Sequence, residues 1–350
     1  MQSTASAPGK AILFGEHAVV FRKPAIAVAV DKRATITIKE GTGKYTSIKS
    51  KDLGFNAELD LNQGLINLKT GKSGIIKYIL EVLLNYHDKS PLDIELRMDM
   101  PIGAGLGSSA AVTVATIAAL KNYNQEYINQ DYHNLEYNEE YALSNKESPL
   151  QNQKSQIKIP SISNIAKQAH QVEIKVQGAA SPLDTAVSAY GGLIYLSENS
   201  EVIPLDSDLD DSLVIGYTSF RGNTGKMVAG VKRRRDAYPD IMDPLIESVG
   251  KITKKAYKSL ITGQTDQLGE LMNINHGLLD SMGVSTLELS KMVYLARKAG
   301  ASGSKITGAG GGGSIIAYCP GKIDEVLNTL QGAENAIKAD FSKKGVLIHE

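Results

Sequence analysis

Residues 101–112, PIGAGLGSSAAV, place Gly103, Gly105 and Gly107 at alternate positions and follow them at once with Ser108 and Ser109. The chemistry such a pattern can do is anion binding. The first N–H groups of a helix have no intrahelical partners and carry partial positive charge. Glycines let phosphate oxygens reach that main chain with no Cβ in the way. The stretch is neither GxxxxGK[ST] nor GxGxxG, so two common phosphate loops are excluded. A tight turn packed on a neighbouring strand would use the same glycines, and this stretch alone does not choose between the two readings.

Other residues with chemical potential are scattered along the chain. Lys10 follows a Pro–Gly turn, and Glu16 and His17 follow a second glycine. Taken singly, a lysine is surface charge and a histidine is structural. Gly308 to Gly313 contains five glycines in six positions ahead of a strand, where a flexible hairpin is the plain alternative. Asp184 stands on a turn, either as a reactive carboxylate or as the N-cap of a helix from Thr185. Glu173 lies seven residues after Ala166 and four after Ala169, on or beside an apolar stripe of Ile162, Ala166, Ala169 and Val176. A carboxylate there is costly unless paired or bound to a cation; the alternative is a solvated helix end.

These residues must be positioned by an α+β chain. AILF, PAIAVAVDKRATITI and LDIELRMDM carry the β-branched content and alternation of strands. Ile75, Ile76, Ile79, Leu80, Leu83 and Leu84 repeat at helical spacing, and SSAAVTVATIAALKNY predicts a helix capped by Ser108 or Ser109. Residues 129–160 turn polar, as a mobile loop or polar helical pair would. Helical spacing returns at SISNIAKQAHQVEIKV. A second segment from about 196 shows three helical patterns and the strands LVIGYTSF and GGSIIAYCP. Adjacent strands in mixed order predict α+β layers rather than a doubly wound sheet.

The totals narrow the function classes. A chain of 350 residues predicts about two domains. Lys and Arg balance Asp and Glu at 38 each, which argues against a general polyanion binder. Cys319 stands alone, and the six histidines form no HExxH pair, so disulfides and zinc chemistry find no support. The first residues lack the layout of a signal peptide, and Ala110–Leu120 is about half a membrane span, so a cytoplasmic protein without a membrane role is expected. VKRRRD, 231–236, has no aromatic interleaving and reads as a solvated helix face, not a nucleic-acid site.

Taken together, APGKAILFGEHAVV, PIGAGLGSSAA and KITGAGGGG resemble the three motifs of the GHMP kinase superfamily, in order and across almost the whole chain. GEHAVV followed by KPAIAVAV, with SPLDTAVSAYGG and NTGKMVAGV, is most similar to the branch that phosphorylates mevalonate. Three departures stand out. Arg22 replaces a common glycine, 129–160 is long and polar, and Gly222 separates Arg221 from Asn223–Thr224.

The resemblance implies a two-lobed fold: a mixed-sheet ATP-binding lobe over 1–195, with 129–160 as an insertion, and a ferredoxin-like lobe over 196–350. The active site would lie between them. It implies ATP- and Mg²⁺-dependent phosphorylation of (R)-mevalonate in isoprenoid biosynthesis. The alternatives are another small-molecule kinase of the superfamily, for phosphomevalonate or a sugar, and a non-catalytic ATP-binding sensor. By the same likeness Pro101, Ile102, Gly103, Ala104, Gly105, Leu106, Gly107, Ser108, Ser109, Ala110 and Ala111 cradle ATP, and Ser109 and Glu173 hold Mg²⁺. Asp184 is the general base and Lys10 lies against it, holding it ionised. Glu16, His17, Thr224 and Gly310 face the substrate. A homodimer is compatible with the likeness, although no interface is legible.

Overall fold

Alternating small and apolar residues over the first forty positions build a long antiparallel hairpin, β1 (Gln2–Phe14) with β2 (Ala25–Glu40). The computed structural model describes residues 1–349 except 73, 102–103, 140–160, 179, 207–208, 210–212 and 221; of 126–139 it describes only the helical backbone. After the hairpin come β3 (Thr46–Ser50), β4 (Phe55–Asp60), β5 (Leu65–Thr70), α1 (Ile76–Tyr86) and β6 (Leu92–Met98). Then follow α2 (Ser108–Glu139), α3 (Ile162–Gln177), α4 (Pro182–Tyr190), β7 (Leu193–Leu196) and β8 (Val202–Leu205). The first sheet is mixed, because β3 pairs parallel to β6 while its other pairings are antiparallel. Its core joins the apolar faces of β1, β2 and β6 to α1, α2 and α3, with Ile36, Ile38, Ile79, Leu83, Val114 and Ile117 fully enclosed.

The rest of the chain runs β9 (Leu213–Tyr217), α5 (Thr224–Ala237), α6 (Pro239–Ile261), α7 (Leu268–Ser281), α8 (Leu287–Lys298), β10 (Gly303–Thr307), β11 (Ser314–Tyr318), α9 (Ile323–Gln331), β12 (Asn335–Ala339) and β13 (Leu347–His349). The second sheet has the order β10-β11-β9-β12, antiparallel throughout, which is the ferredoxin-like arrangement expected. More helices stand here than the three patterns suggest: α5 carries a basic run with weak apolar periodicity. In that run, Arg235 lies over the Phe21 ring and pairs with Asp243.

The chain crosses between sheets after Leu205 rather than near 195, since β8 still pairs with β7. It also returns at its end, where β13 pairs with β1. Part of the polar stretch 129–160 continues α2 as far as Glu139, and 140–160 lie outside the described residues. The stripe of α3 is Ile165, Ala166, Ala169, Val172 and Glu173; Ile162 is exposed instead. No helix among the described residues is long and apolar enough to cross a membrane.

Candidate active site

The close approach implied by the glycines is to β1. Lys10 N–H donates to Leu106 O at 2.9 Å. An ideal Cβ on Gly9 would fall 2.8 Å from Leu106 O, so only glycine lets the 101–111 loop lie on the strand here. Gly105 and Gly107 have φ of +64° and +70°. Ala111 N–H donates to Gly107 O at 3.0 Å, so Gly107 closes the first turn of α2. Ser108 and Ser109 are the first helical residues, not the cap expected from the sequence. Ile102 and Gly103 lie outside the described residues, while Pro101, Ala104, Leu106, Ala110 and Ala111 complete the turn. The loop is held from the far side too, because Ser314 Oγ donates to Ala104 O.

Beside the start of α2 the structure gathers three more of the expected residues. Lys10 Nζ lies 3.2 Å from Asp184 Oδ2, with the lysine buried and the aspartate 33% exposed. Asp184 is the third residue of α4, whose cap is Ser181, so it stands in a helix first turn and does not cap one. A carboxylate there is favoured by the helix dipole. Ser109 Oγ donates to Glu173 Oε1 at 2.8 Å, and Gln177 Nε2 donates to the same oxygen at 3.2 Å. Burial, reinforced by the nearby Asp184 charge, pushes the Glu173 carboxyl up to about 7. The Lys10–Asp184 pair, a second carboxyl held close to neutral and the Ser109 hydroxyl thus bring several oxygen donors together. Such donors suit a hard divalent cation. No group of three or more His, Cys, Asp or Glu among the described residues could hold a metal by itself, so a cation here needs ligands from elsewhere, as phosphate oxygens supply.

The remaining expected residues stand apart. His17 is buried and its Nε2 lies 2.9 Å from Ala309 O. A carbonyl only accepts, so Nε2 carries the proton and Nδ1 is an acceptor. That Nδ1 is buried with no hydrogen-bond partner among the described residues, and burial lowers the imidazole pKa. Glu16 differs from the expectation that it faces a substrate. Its two oxygens are taken by Lys305 Nζ and by Asn275 Nδ2, in the packing between the sheets. Thr224 is exposed at the start of α5, behind the Asn223 cap. Gly222 sets that start against the late glycine loop: a Cβ on it would fall 2.1 Å from Gly310 O. Gly310, at φ +73°, packs on Val284. The N–H groups of Gly311 and Gly313 are bonded internally, to Val284 O and Phe220 O.

Sequence reasoning missed Lys305 and Asn275. A lysine inside the apolar strand GSKIT is itself a signal, since a buried ammonium needs a partner; Asn275, on α7, offers none.

A glycine-rich loop opening a long helix, a Lys–Asp pair beside it and a ferredoxin-like second layer define a small-molecule kinase of the GHMP class. Family models described as the GHMP kinase N-terminal domain and the GHMP kinase C-terminal region match residues 74–157 and 256–336. The chain is 48% identical over 347 residues to a mevalonate kinase of Methanothermobacter thermautotrophicus, covering 99% of this chain and 100% of that one. The Methanococcus jannaschii mevalonate kinase structure matches with a TM-score of 0.73 at 27% identity, over 97% of this chain and 98% of that one. An L. major mevalonate kinase in complex with R-mevalonate shares the fold, with a TM-score of 0.72 at 23% identity over 96% and 94%. This chain belongs to the mevalonate kinase family.

Proposed function

We propose that the protein transfers the γ-phosphoryl group of ATP to the 5-hydroxyl of (R)-mevalonate, releasing ADP and (R)-5-phosphomevalonate. The observation that carries the chemistry is the Lys10–Asp184 pair at 3.2 Å, set at the mouth of the glycine loop. The triphosphate lies along the N–H groups of the loop and the first turn of α2, where unpaired donors and the helix dipole meet negative charge. Asp184 accepts the hydroxyl proton as the oxygen–phosphorus bond forms and the bond to the ADP oxygen breaks. Lys10 neutralises charge on the transferring group, and such positioning and electrostatics make up most of catalysis in phosphoryl transfer. Ser109 and Glu173 are the residues that would hold Mg²⁺, which when bound with ATP screens phosphate charge.

On the acceptor side, His17 Nδ1 is a buried acceptor suited to a substrate hydroxyl. Thr224 and Gly310, which Gly222 brings close together, are the other residues assigned to the acceptor. ADP release measured with mevalonate, phosphomevalonate, galactose and homoserine tests the reading. Turnover of mevalonate above the others is the expected outcome, and preference for a different alcohol would replace it. No ADP with any alcohol, despite ATP binding, would favour the sensor reading instead.

A further inference from the structure

Gly15, Glu16 and His17 join β1 to a short 3₁₀ turn at Ala18–Phe21, and the backbone there is strained. His17 has φ 60° and ψ −45°, and Ala18 N–H donates to Glu16 O at 2.6 Å. A three-residue closure with positive φ at its centre is the rare form of the γ-turn. Such conformations persist only where the surroundings over-determine them.

The anchors that do so come from the second sheet and its helices. Lys305 of β10 donates to Glu16 Oε1 and, at 2.6 Å, to Ile306 O. Asn275 of α7 donates to Glu16 Oε2 at 3.3 Å. Ala309, in the late glycine loop, accepts from His17 Nε2. The Lys305 and Glu16 side chains are 0% and 1% exposed, so this is no solvent-facing bridge. A buried ion pair is a poor source of net stability compared with apolar packing of the same volume. What it supplies is direction. It ties the carboxylate, and the turn that carries it, to one strand of the opposite sheet.

We propose that Lys305 is a positioning residue for the phosphoryl acceptor. Through Glu16 it holds the γ-turn that fixes the direction of His17 Nδ1. The proposal rests on the reading of His17 as an acceptor contact given above. Glu16 therefore acts through His17 and does not touch substrate itself.

Steady-state kinetics with mevalonate and ATP varied separately, on wild type, Lys305→Met, the neutral pair Glu16→Gln/Lys305→Met and His17→Ala, test it. Lys305→Met and the neutral pair are expected to raise KM for mevalonate about tenfold with KM for ATP roughly unchanged. Adding His17→Ala to the neutral pair should cost little more, because no imidazole remains to be directed. Lys305→Arg should recover part of the loss. Lys305→Met alone leaves a buried carboxylate unpaired and is the variant at risk of misfolding. The neutral pair avoids this, and a thermal melt reports whether it folds. ¹⁵N-histidine spectra supply a readout independent of turnover: the His17 signals should move in the neutral pair. An unchanged KM for mevalonate in the folded neutral pair, full additivity with His17→Ala, or an unmoved His17 signal would overturn the proposal. A wild-type protein inactive on mevalonate would overturn the functional reading instead, and the spectra would still decide whether Lys305 fixes His17.

Discussion

The stem of Lys10 lies across Gly107: a Cβ built on that glycine would stand 2.7 Å from Lys10 Cγ and 3.0 Å from its Cε. Gly107 also has φ +70°, which L side chains rarely adopt. One residue therefore closes the first turn of α2 and makes room for the lysine that reaches Asp184. Gly107→Ala should displace the Lys10 ammonium while leaving both sheets intact. A displacement of about an ångström in such a site costs on the order of 10²-fold in rate. Single-turnover kinetics beside a thermal melt check this. A folded variant with near wild-type rate would show that Lys10 need not be held over the loop.

Asp184→Asn removes the proposed proton acceptor and keeps the shape of the first turn of α4. Loss of a general base costs about 10²–10⁴-fold, so kcat should fall by that order. ATP affinity, measured by calorimetry, should stay within a few fold, since the glycine loop is untouched. A rate near wild type would take the base role from Asp184. Loss of ATP binding together with rate would make Asp184 a structural support of the loop.

His276 gives a pH prediction away from the chemistry. Burial, with Arg297 and Lys305 adding positive charge nearby, pushes its imidazole down to about 4 from the ordinary 6.5. Its Nδ1 is buried with no hydrogen-bond partner among the described residues. Between pH 4 and 6.5 the unfolded chain binds a proton here that the native state does not. Stability should therefore be fully present above about 6.5 and fall as pH drops toward 4, by up to about 3 kcal/mol from this group. Melting temperatures of wild type and His276→Gln between pH 7 and 5 check it. The wild type should lose more over that interval, and parallel curves would remove His276 as the source.

The residue types are legible because they are local: the glycine loop shows in its own spacing, and Glu173 as a carboxylate interrupting an apolar stripe. Lys10 and Asp184 taken singly read as surface charge and a helix cap, and the roles proposed for them come from the family resemblance. The pairing of Lys10 with Asp184 came from family likeness, since nothing in 174 positions of separation encodes a contact. The partners of Glu16 escape the sequence for the same reason. Lys305 and Asn275 lie 289 and 259 positions away, and only the packing of β10 and α7 against the hairpin brings them in. Sheet membership failed in a similar way: β8 and β13 are short strands whose sheet is set by pairing with β7 and β1, not by their own sequence.

Arg22 is where sequence and backbone disagree most simply. It ends the 3₁₀ turn in the left-handed region, φ 60° and ψ 29°, with its N–H bonded to Val19 O at 3.1 Å and its side chain exposed. That conformation costs an L residue about 1–2 kcal/mol, whereas glycine adopts it freely at an entropic cost of about 0.5–1 kcal/mol. Arg22→Gly should therefore raise stability by about 0.5–1 kcal/mol, the difference between the two effects. Urea denaturation measures it, with m unchanged because the folded core is the same. The turn also follows directly on His17, so the variant reports on the hairpin tip as a whole. A destabilised Arg22→Gly would mean that the guanidinium makes contacts worth more than the strain it imposes.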